Sequence, residues 1–375
     1  MKIKNLINTI RSLHGTNDFI PLHEPRFRGR EKEYLNDTID STFVSSVGEY
    51  VDKVEGRLAE ITGTGKAAAV VNGTAGLQVA LRVAGVNAGD EVLTQALTFV
   101  ATTNAIAYNG AEPVFLDVDR DTMGLSPDAV KNWLTEFAEK RKDGTYNKKT
   151  GKRISACMPM HTFGFMCRID EIVKICDQWD IPVVEDAAEA LGSKFKGKSA
   201  GSFGKTGVFS FNGNKIITSG GGGVVVSQNP KYAERVKFLT TTAKKPHTYE
   251  YIHEELGYNF RMPNVNAALL TAQLESLDDF IRSKKKLYEE YRNTLESVVE
   301  IPKDTEWNYW LMSIKAENKE ERDLILKETN KQAVMTRPIW QLMYKLPMYA
   351  KCQRDDQKNA EFLEDRIINI PSSAR

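Results

Sequence analysis

The sequence predicts an α/β protein with a mostly parallel central sheet, helices on both faces and a smaller C-terminal α+β domain. Short β-branched runs alternate with helical patterns between residues 67 and 226, and this β–α–β repetition is typical of a parallel sheet covered on both faces. Beyond that region the pattern changes to long helical stretches. A chain of 375 residues is also longer than a domain with one ordinary hydrophobic core, which favours about two domains.

We expect three parts along the chain: an N-terminal helix and arm over residues 1–30, a large domain over 31–250 and a small domain over 251–375. Apolar residues at helical spacing predict the first helix over 3–14. The charged, Gly-containing stretch 139–153 predicts an inserted surface hairpin.

Other elements follow from periodicity and from turn residues. The further helices expected lie at 31–42, 48–62, 168–179, 230–242, 262–297, 318–330 and 355–368, and the strands at 67–71, 90–94, 113–118, 154–160, 181–185, 208–211 and 309–314.

Composition excludes several classes of function. The chain is 41% hydrophobic and 27% charged with a net charge of +1, so nothing indicates a nucleic-acid partner. No apolar stretch approaches the roughly 18 residues that cross a bilayer, and no signal-peptide core follows the first residues. We therefore expect a cytoplasmic protein without a membrane partner. The four cysteines and five histidines lack metal-ligand spacing, and no metal is expected.

Two ionisable residues stand at the ends of strand patterns. Asp186 follows the apolar run 182–184, and Lys215 follows the run 208–211. Ligands of an open α/β sheet sit outside the carboxyl ends of its strands, so both side chains should face a crevice. Alanines beside the acid and four glycines after the lysine leave room for a flat ring. This set favours pyridoxal phosphate, which needs a lysine at its aldehyde and an acid at its pyridine nitrogen; two solvated surface charges are the alternative.

A strand, a Gly-Thr turn and a helix start succeed one another at residues 67–83. The first N–H groups of a helix and the positive end of its dipole together bind anions. The turn therefore predicts a phosphate site, and a tight connection capped by Thr74 is the structural alternative.

Three segments resemble those of the DegT/DnrJ-type nucleotide-sugar aminotransferases, a branch of the fold-type I pyridoxal phosphate enzymes. They are Glu-Asp-Ala-Ala-Glu-Ala-Leu-Gly from Glu185, Phe-Ser-Phe-Asn-Gly-Asn-Lys ending at Lys215, and Gly-Tyr-Asn-Phe-Arg-Met from Gly257. The resemblance runs from about residue 20 to the end. It implies the fold-type I transferase fold and a homodimer with shared active sites.

The resemblance also implies a role for individual residues. Lys215 and Asp186 would be catalytic, and Arg261 would lie near the sugar nucleotide. Glu189 departs from the pattern, because the family mostly has Gln near the phenolic oxygen of the cofactor. The cofactor-binding residues that the resemblance implies are Gly73, Thr74, Ala75, Phe99, Asp186, Glu189, Ser210, Lys215 and, from the neighbouring subunit, Asn259.

The implied activity is transfer of an amino group from glutamate to a nucleotide-linked 4-keto-6-deoxy sugar, for surface polysaccharide biosynthesis. The N-terminal helix and the arm over 22–27 resemble the branch acting on UDP-4-keto-6-deoxy-N-acetylglucosamine, on routes to bacillosamine or legionaminic acid. A pyridoxal phosphate-dependent lyase or sugar dehydratase on the same fold is one alternative. A regulator that binds the cofactor without catalysis is the other.

Overall fold

The computed structural model describes residues 3–375, which form a central sheet with helices on both faces and a smaller sheet near the C-terminus. The helices are α1 (Ile3–His14), α2 (Glu31–Asp40), α3 (Glu49–Thr62), α4 (Gly73–Ala84), α5 (Val100–Tyr108), α6 (Pro127–Phe137), α7 (Ile169–Gln178), α8 (Pro230–Thr240), α9 (Asn264–Glu275), α10 (Leu277–Thr294), α11 (Lys319–Lys331) and α12 (Lys358–Glu364). The strands are β1 (Lys66–Val70), β2 (Glu91–Gln95), β3 (Glu112–Leu116), β4 (Ala138–Arg141), β5 (Gly144–Asn147), β6 (Ile154–Met158), β7 (Val184–Asp186), β8 (Lys194–Phe195), β9 (Lys198–Ser199), β10 (Thr206–Ser210), β11 (Gly223–Ser227), β12 (Lys244–Lys245), β13 (Ile252–His253), β14 (Thr305–Glu306), β15 (Ser313–Lys315), β16 (Arg337–Pro338) and β17 (Ile367–Asn369).

The central sheet has the strand order β3-β2-β6-β7-β10-β11-β1 over the described residues. β2 pairs in parallel with β3 and β6, and β7 pairs in parallel with β10. Parallel bridges from Cys157 to Val183 and from Met160 to Asp186 join β6 to β7. β11 runs antiparallel between β10 and β1. The predicted mostly parallel α/β sheet is therefore confirmed.

Successive residues of the inner strands point to opposite faces of this sheet, as the pleat requires. In β10, Val208 belongs to the hydrophobic cluster under α4, α5 and α8, while Phe209 belongs to the cluster on the other face. Val225 and Val224 of β11 divide in the same way. Because both faces are covered, these strands read as continuous apolar runs in the sequence.

The smaller sheet has the order β15-β17-β16 and is antiparallel. The N-terminal helix packs on this part of the chain, with Leu6 and Ile10 fully buried. The arm that follows pairs Ile20 with Val334. The exact division at residues 30 and 250 stays a prediction.

Some predicted elements differ from the observed ones. The long helix expected over 262–297 is two helices, α9 and α10, separated at Ser276. Asp278 and Asp279 follow the break, and acidic side chains favour the first turn of a new helix. The helix expected over 355–368 is limited to α12, and β17 follows it.

The strand expected over 309–314 begins only at Ser313. Tyr309 has a positive φ of 58°, which a strand does not accommodate. The next residue, Trp310, donates its indole N–H to the carbonyl of Asn214, so tertiary contacts and not a strand ladder hold this segment.

The inserted hairpin is confirmed as β4 paired antiparallel with β5. Asn147 at its base donates from Nδ2 to a carboxylate oxygen of Glu91 at 2.7 Å, which fixes the hairpin to the first residue of β2. Among the helices of residues 3–375, none has the length and apolar character needed to cross a membrane.

Candidate active site

The carboxyl ends of the central strands open into a cavity of about 710 Å³, a volume typical of small-molecule sites. The segments after β1, β2, β7 and β10 all reach it, because parallel strands end at the same edge of a sheet. Seven of the residues predicted for the site line this cavity, and they are Gly73, Thr74, Phe99, Asp186, Glu189, Ser210 and Lys215.

Asp186 ends β7 and lies buried beside the cavity. Its Oδ2 accepts a hydrogen bond from Thr102 Oγ1 at 2.7 Å, and its Oδ1 accepts one from the N–H of Ala188 at 3.1 Å. Burial raises the pKa of this carboxyl, while the two hydrogen bonds and the positive charge of Lys215 lower it. A buried carboxyl held in this way is suited to a cationic ring N–H.

Lys215 and Glu189 form an ion pair inside the cavity, with Nζ at 3.2 Å from Oε1. Glu189 Oε2 accepts a hydrogen bond from the N–H of Phe163 at 2.9 Å. Burial raises the pKa of Glu189 to about 7, although the positive charge of Lys215 acts to lower it. The ring of Trp310 lies 4.2 Å from Nζ, so the ammonium group also contacts an aromatic face.

The N-terminus of α4 points at the same cavity. Asn72, and not Thr74, caps this helix: its side chain accepts a hydrogen bond from the N–H of Ala75 at 2.8 Å. A Cβ placed on Gly73 would lie 2.8 Å from the Cβ of Ser210, so the start of α4 and the end of β10 approach closely only because residue 73 is a glycine. The helix start and Ser210 thus form the two sides of a narrow cradle.

An aromatic wall completes the cavity. Phe99 is half-exposed at the mouth, and its ring centroid lies 6.3 Å from that of Trp340. Phe163 packs between Trp340 at 4.9 Å and Trp310 at 6.4 Å. Of these aromatic residues, the sequence predicted only Phe99 as part of the site. The exposed guanidinium of Arg337 also lines the cavity and was likewise missed.

These residues fit the predicted pyridoxal phosphate. The cradle between Gly73 and Ser210 leaves space at a helix N-terminus for a phosphate. Asp186 supplies a buried acid for the ring nitrogen, and Lys215 supplies an amine within the same cavity. Phe99 lies exposed at the mouth, where a ring can stack.

Three other predicted residues do not line the cavity of this chain. Ala75 is buried, and its N–H is bound by Asn72. Asn259 is exposed in the loop before α9. Arg261 is buried, and its guanidinium donates to Glu55 Oε1 at 2.6 Å and to a backbone carbonyl of β1 at 2.6 Å. Contacts of these three with cofactor or substrate stay predictions.

Comparison with known proteins identifies close similarities. The sequence profile of the DegT/DnrJ/EryC1/StrS aminotransferase family matches residues 25–375. GDP-perosamine synthase of Escherichia coli O157:H7 is 36% identical over 357 residues, which cover 94% of this chain and 93% of that protein. The putative pyridoxal phosphate-dependent aminotransferase EpsN of Bacillus subtilis (strain 168) is 37% identical over 364 residues, which cover 95% and 91%.

Solved structures give the same result for the fold. The aminotransferase TlmJ from Streptoalloteichus hindustanus superimposes with a TM-score of 0.85 at 25% identity, over 94% of this chain and 93% of that one. DesI, crystallised in the presence of its TDP-sugar product, superimposes with a TM-score of 0.83 at 26% identity, over 97% and 91%. The predicted fold-type I transferase fold is confirmed.

Proposed function

The chain belongs to the DegT/DnrJ/EryC1/StrS aminotransferase family, and from that premise we propose that it transfers an amino group from glutamate to C4 of a nucleotide-linked 4-keto-6-deoxy sugar. It is a pyridoxal phosphate-dependent sugar aminotransferase. The observation that carries the proposal is the convergence of Lys215, Asp186 and the cradle at Gly73 in one cavity.

Lys215 has two tasks in this proposal. When bound, pyridoxal phosphate supplies an aldehyde and an electron-withdrawing ring. Lys215 Nζ would hold the cofactor at that aldehyde. As a neutral amine, Lys215 would also be the base that takes a proton from the substrate carbon and, once protonated, the acid that returns one. Its position in the cavity, 11% exposed, limits competition from water.

Asp186 would hold the proton on the pyridine nitrogen of the bound cofactor. The hydrogen bonds from Thr102 and Ala188 fix both carboxylate oxygens, so the carboxylate keeps a single orientation. Burial strengthens its electrostatic interaction with a ring N–H because water is excluded. This fixed negative charge favours the protonated ring throughout the reaction.

We propose UDP-4-keto-6-deoxy-N-acetylglucosamine as the acceptor. The arm over 22–27 resembles the branch that uses this sugar, and Leu22 of the arm lines the cavity, where it can contact substrate. A GDP-linked 4-keto-6-deoxy sugar is the second candidate, because a GDP-perosamine synthase is among the similar proteins.

The test is to incubate the holoenzyme with glutamate and each keto sugar nucleotide, and to measure the 4-amino product and 2-oxoglutarate by mass spectrometry. We expect one 2-oxoglutarate per amino sugar and a higher kcat/KM for the UDP-linked acceptor. A preference for the GDP-linked acceptor would show that the second candidate is the substrate. Conversion of the sugar without loss of glutamate would instead indicate a lyase or dehydratase. Binding of the cofactor without turnover would indicate a regulator.

We also infer a homodimer whose cavities are completed across the interface. The loop after α2 carries the exposed apolar side chains Phe43 and Val47, and adjacent exposed apolar groups are typical of protein contacts. This loop touches the start of α9, where the N–H of Asn264 donates to Ser45. Asn259 lies exposed shortly before α9, so its amide is free to reach the phosphate of a second subunit.

Complementation tests this arrangement. Lys215→Ala and Asn259→Asp chains should each be inactive, the second because a carboxylate repels the phosphate. Their mixture should regain activity, because some mixed dimers contain one intact cavity. A mixture of Lys215→Ala with Lys215→Arg is the control, since no exchange of chains repairs it. Full activity of a protein that sediments as a monomer would contradict the shared cavity.

We also propose that the protein is located in the cytoplasm.

A further inference from the structure

Glu189 places a carboxyl group, and not an amide, beside Lys215 in the cavity. An amide side chain donates and accepts hydrogen bonds but does not exchange a proton near neutral pH, whereas a carboxyl group does. The surroundings of Glu189 show where such a proton would go.

Both ends of Glu189 are fixed by backbone and side-chain contacts. Its carbonyl oxygen accepts a hydrogen bond from Asn308 Nδ2 at 2.8 Å, and its Oε2 accepts one from the N–H of Phe163 at 2.9 Å. The remaining oxygen, Oε1, faces Lys215 Nζ at 3.2 Å. Among the described residues, Oε1 is the atom that accepts a hydrogen bond from this amine.

Other titratable groups that interact with this pair are Asp186 and the buried His23, whose pKa is lowered by burial and by the charges of Lys284, Arg26 and Lys215. Asp186 is the second carboxyl facing Glu189, and its charge raises the pKa of Glu189, whereas Lys215 lowers it. Trp310 covers another side of Nζ with its ring at 4.2 Å. The side chain of Glu189 is 2% exposed, and burial brings its pKa to about 7. Near neutral pH the group can therefore gain or lose a proton at little cost.

We propose that Glu189 is the proton carrier of Lys215. A proton leaves the Nζ ammonium and binds Oε1, which turns the ammonium into the neutral amine that a bound cofactor aldehyde would require and converts the carboxylate into a carboxylic acid. The reverse transfer breaks the O–H bond and restores the ammonium. One N–H bond is exchanged for one O–H bond, and no electrons are gained or lost.

This inference rests on the role proposed for Lys215. It differs from two simpler roles for Glu189, that of a permanent counter-ion and that of a permanently protonated hydrogen-bond donor. Neither of those roles involves a change of protonation near neutral pH, and neither couples the protonation of Glu189 to the charge on Lys215.

Infrared difference spectroscopy of the cofactor-free full chain measures this protonation directly. We expect a carboxylic acid C=O band that disappears as the pH rises through about 7 and that is missing in Glu189→Gln. Glu91→Gln is the matched control, because Glu91 is also buried with a raised pKa but lies outside the cavity beside Asn147. That variant should keep the band.

Lys215→Met tests the coupling. Loss of the positive charge removes a cause that lowers the pKa of Glu189, so the same band should persist to higher pH. A midpoint that does not move in Lys215→Met would show that the two groups do not share a proton, and would overturn the inference.

Kinetics of the glutamate half-reaction test the consequence in the holoenzyme. Glu189→Gln should slow it about a hundredfold, as expected for loss of one acid–base group, and added acetate should restore part of the rate in proportion to its concentration. Glu189→Asp keeps a titrating carboxyl at a greater distance and should retain more activity than Glu189→Gln. Circular dichroism confirms that each variant is folded.

An unchanged half-reaction rate and pH profile in folded Glu189→Gln would overturn the inference. So would the absence of any band specific to Glu189. Failure of the function itself has a different signature: borohydride reduction would then fail to fix the cofactor to Lys215, whatever the state of Glu189.

Discussion

Glu185 lies in β7 and Glu189 follows shortly after that strand; both are buried, yet their carboxylates have different surroundings. Glu185 faces the core. Its two oxygens accept hydrogen bonds of 2.6, 2.7 and 2.9 Å from three backbone N–H groups of the loop 201–204. His161 Nε2 lies 3.1 Å from the same carboxylate.

Glu189 faces the cavity and has fewer partners. It accepts one backbone hydrogen bond, from Phe163, and pairs with Lys215. A buried carboxylate with several donors is stabilised as a charge, whereas one with few donors is driven towards the protonated form. The pKa of Glu189, raised to about 7 by burial, shows the second case. Full hydrogen bonding therefore marks the structural carboxylate, and incomplete hydrogen bonding marks the reactive one.

The largest effect is expected at Asp186, the neighbour of Glu185 that faces the cavity. Asp186→Asn keeps the shape but removes the charge that protonates the ring nitrogen, so kcat should fall by roughly three powers of ten, or about 4 kcal/mol in the barrier. Cofactor affinity, measured by fluorescence titration, should change much less. Asp170→Asn, at an exposed ion pair with Lys196, is the control. A near-normal kcat in Asp186→Asn would show that Asp186 has a structural role, like Glu185.

The next effect concerns stability. Glu185→Gln replaces an acceptor with an N–H₂ group facing backbone donors, so the free energy of unfolding should fall by about 3 kcal/mol. Urea denaturation of the cofactor-free protein measures it, with the exposed Glu300→Gln as the control. An unfolding free energy equal to that of the wild type would contradict the structural role of Glu185.

Glu189→Gln should change stability in the opposite direction. Because the pKa of Glu189 is raised from 4.5 to about 7 in the folded state, the folded chain binds this proton more tightly than the unfolded chain does. Its contribution to stability is therefore present at low pH and is lost as the pH rises towards 7. Between about pH 5 and about pH 8, the variant should gain on the order of 2 to 3 kcal/mol relative to the wild type.

The measurement is the unfolding free energy of both cofactor-free proteins at the two pH values. A difference between them that stays constant with pH would mean that Glu189 does not titrate in this range. A gain confined to Glu189→Gln, with none in Glu185→Gln, would sharpen the distinction between the two glutamates.

Local sequence was sufficient to predict the strand ends that form the cavity. Asp186, Ser210 and Gly73 each stand next to an apolar run, and the topology of a parallel sheet brings such positions to one edge. The hairpin over 139–153 was also predictable, because its charge and glycines are local signals.

Contacts between distant segments were not predictable. Arg261 had no acid nearby in sequence, but Glu55 pairs with it from α3. Trp310 and Trp340 reach the cavity from the C-terminal part of the chain, and nothing in their immediate sequence indicates that position. Pairings of this kind depend on how elements dock, which periodicity does not encode.

The most direct test of the account is to reduce the holoenzyme with borohydride, digest it and locate the modified lysine by mass spectrometry. We expect the reduced cofactor on the peptide that contains Lys215, and no modification in Lys215→Ala, which should remain folded but inactive. Modification of a different lysine in the wild type, or turnover by Lys215→Ala, would contradict the assignment of this cavity as the active site.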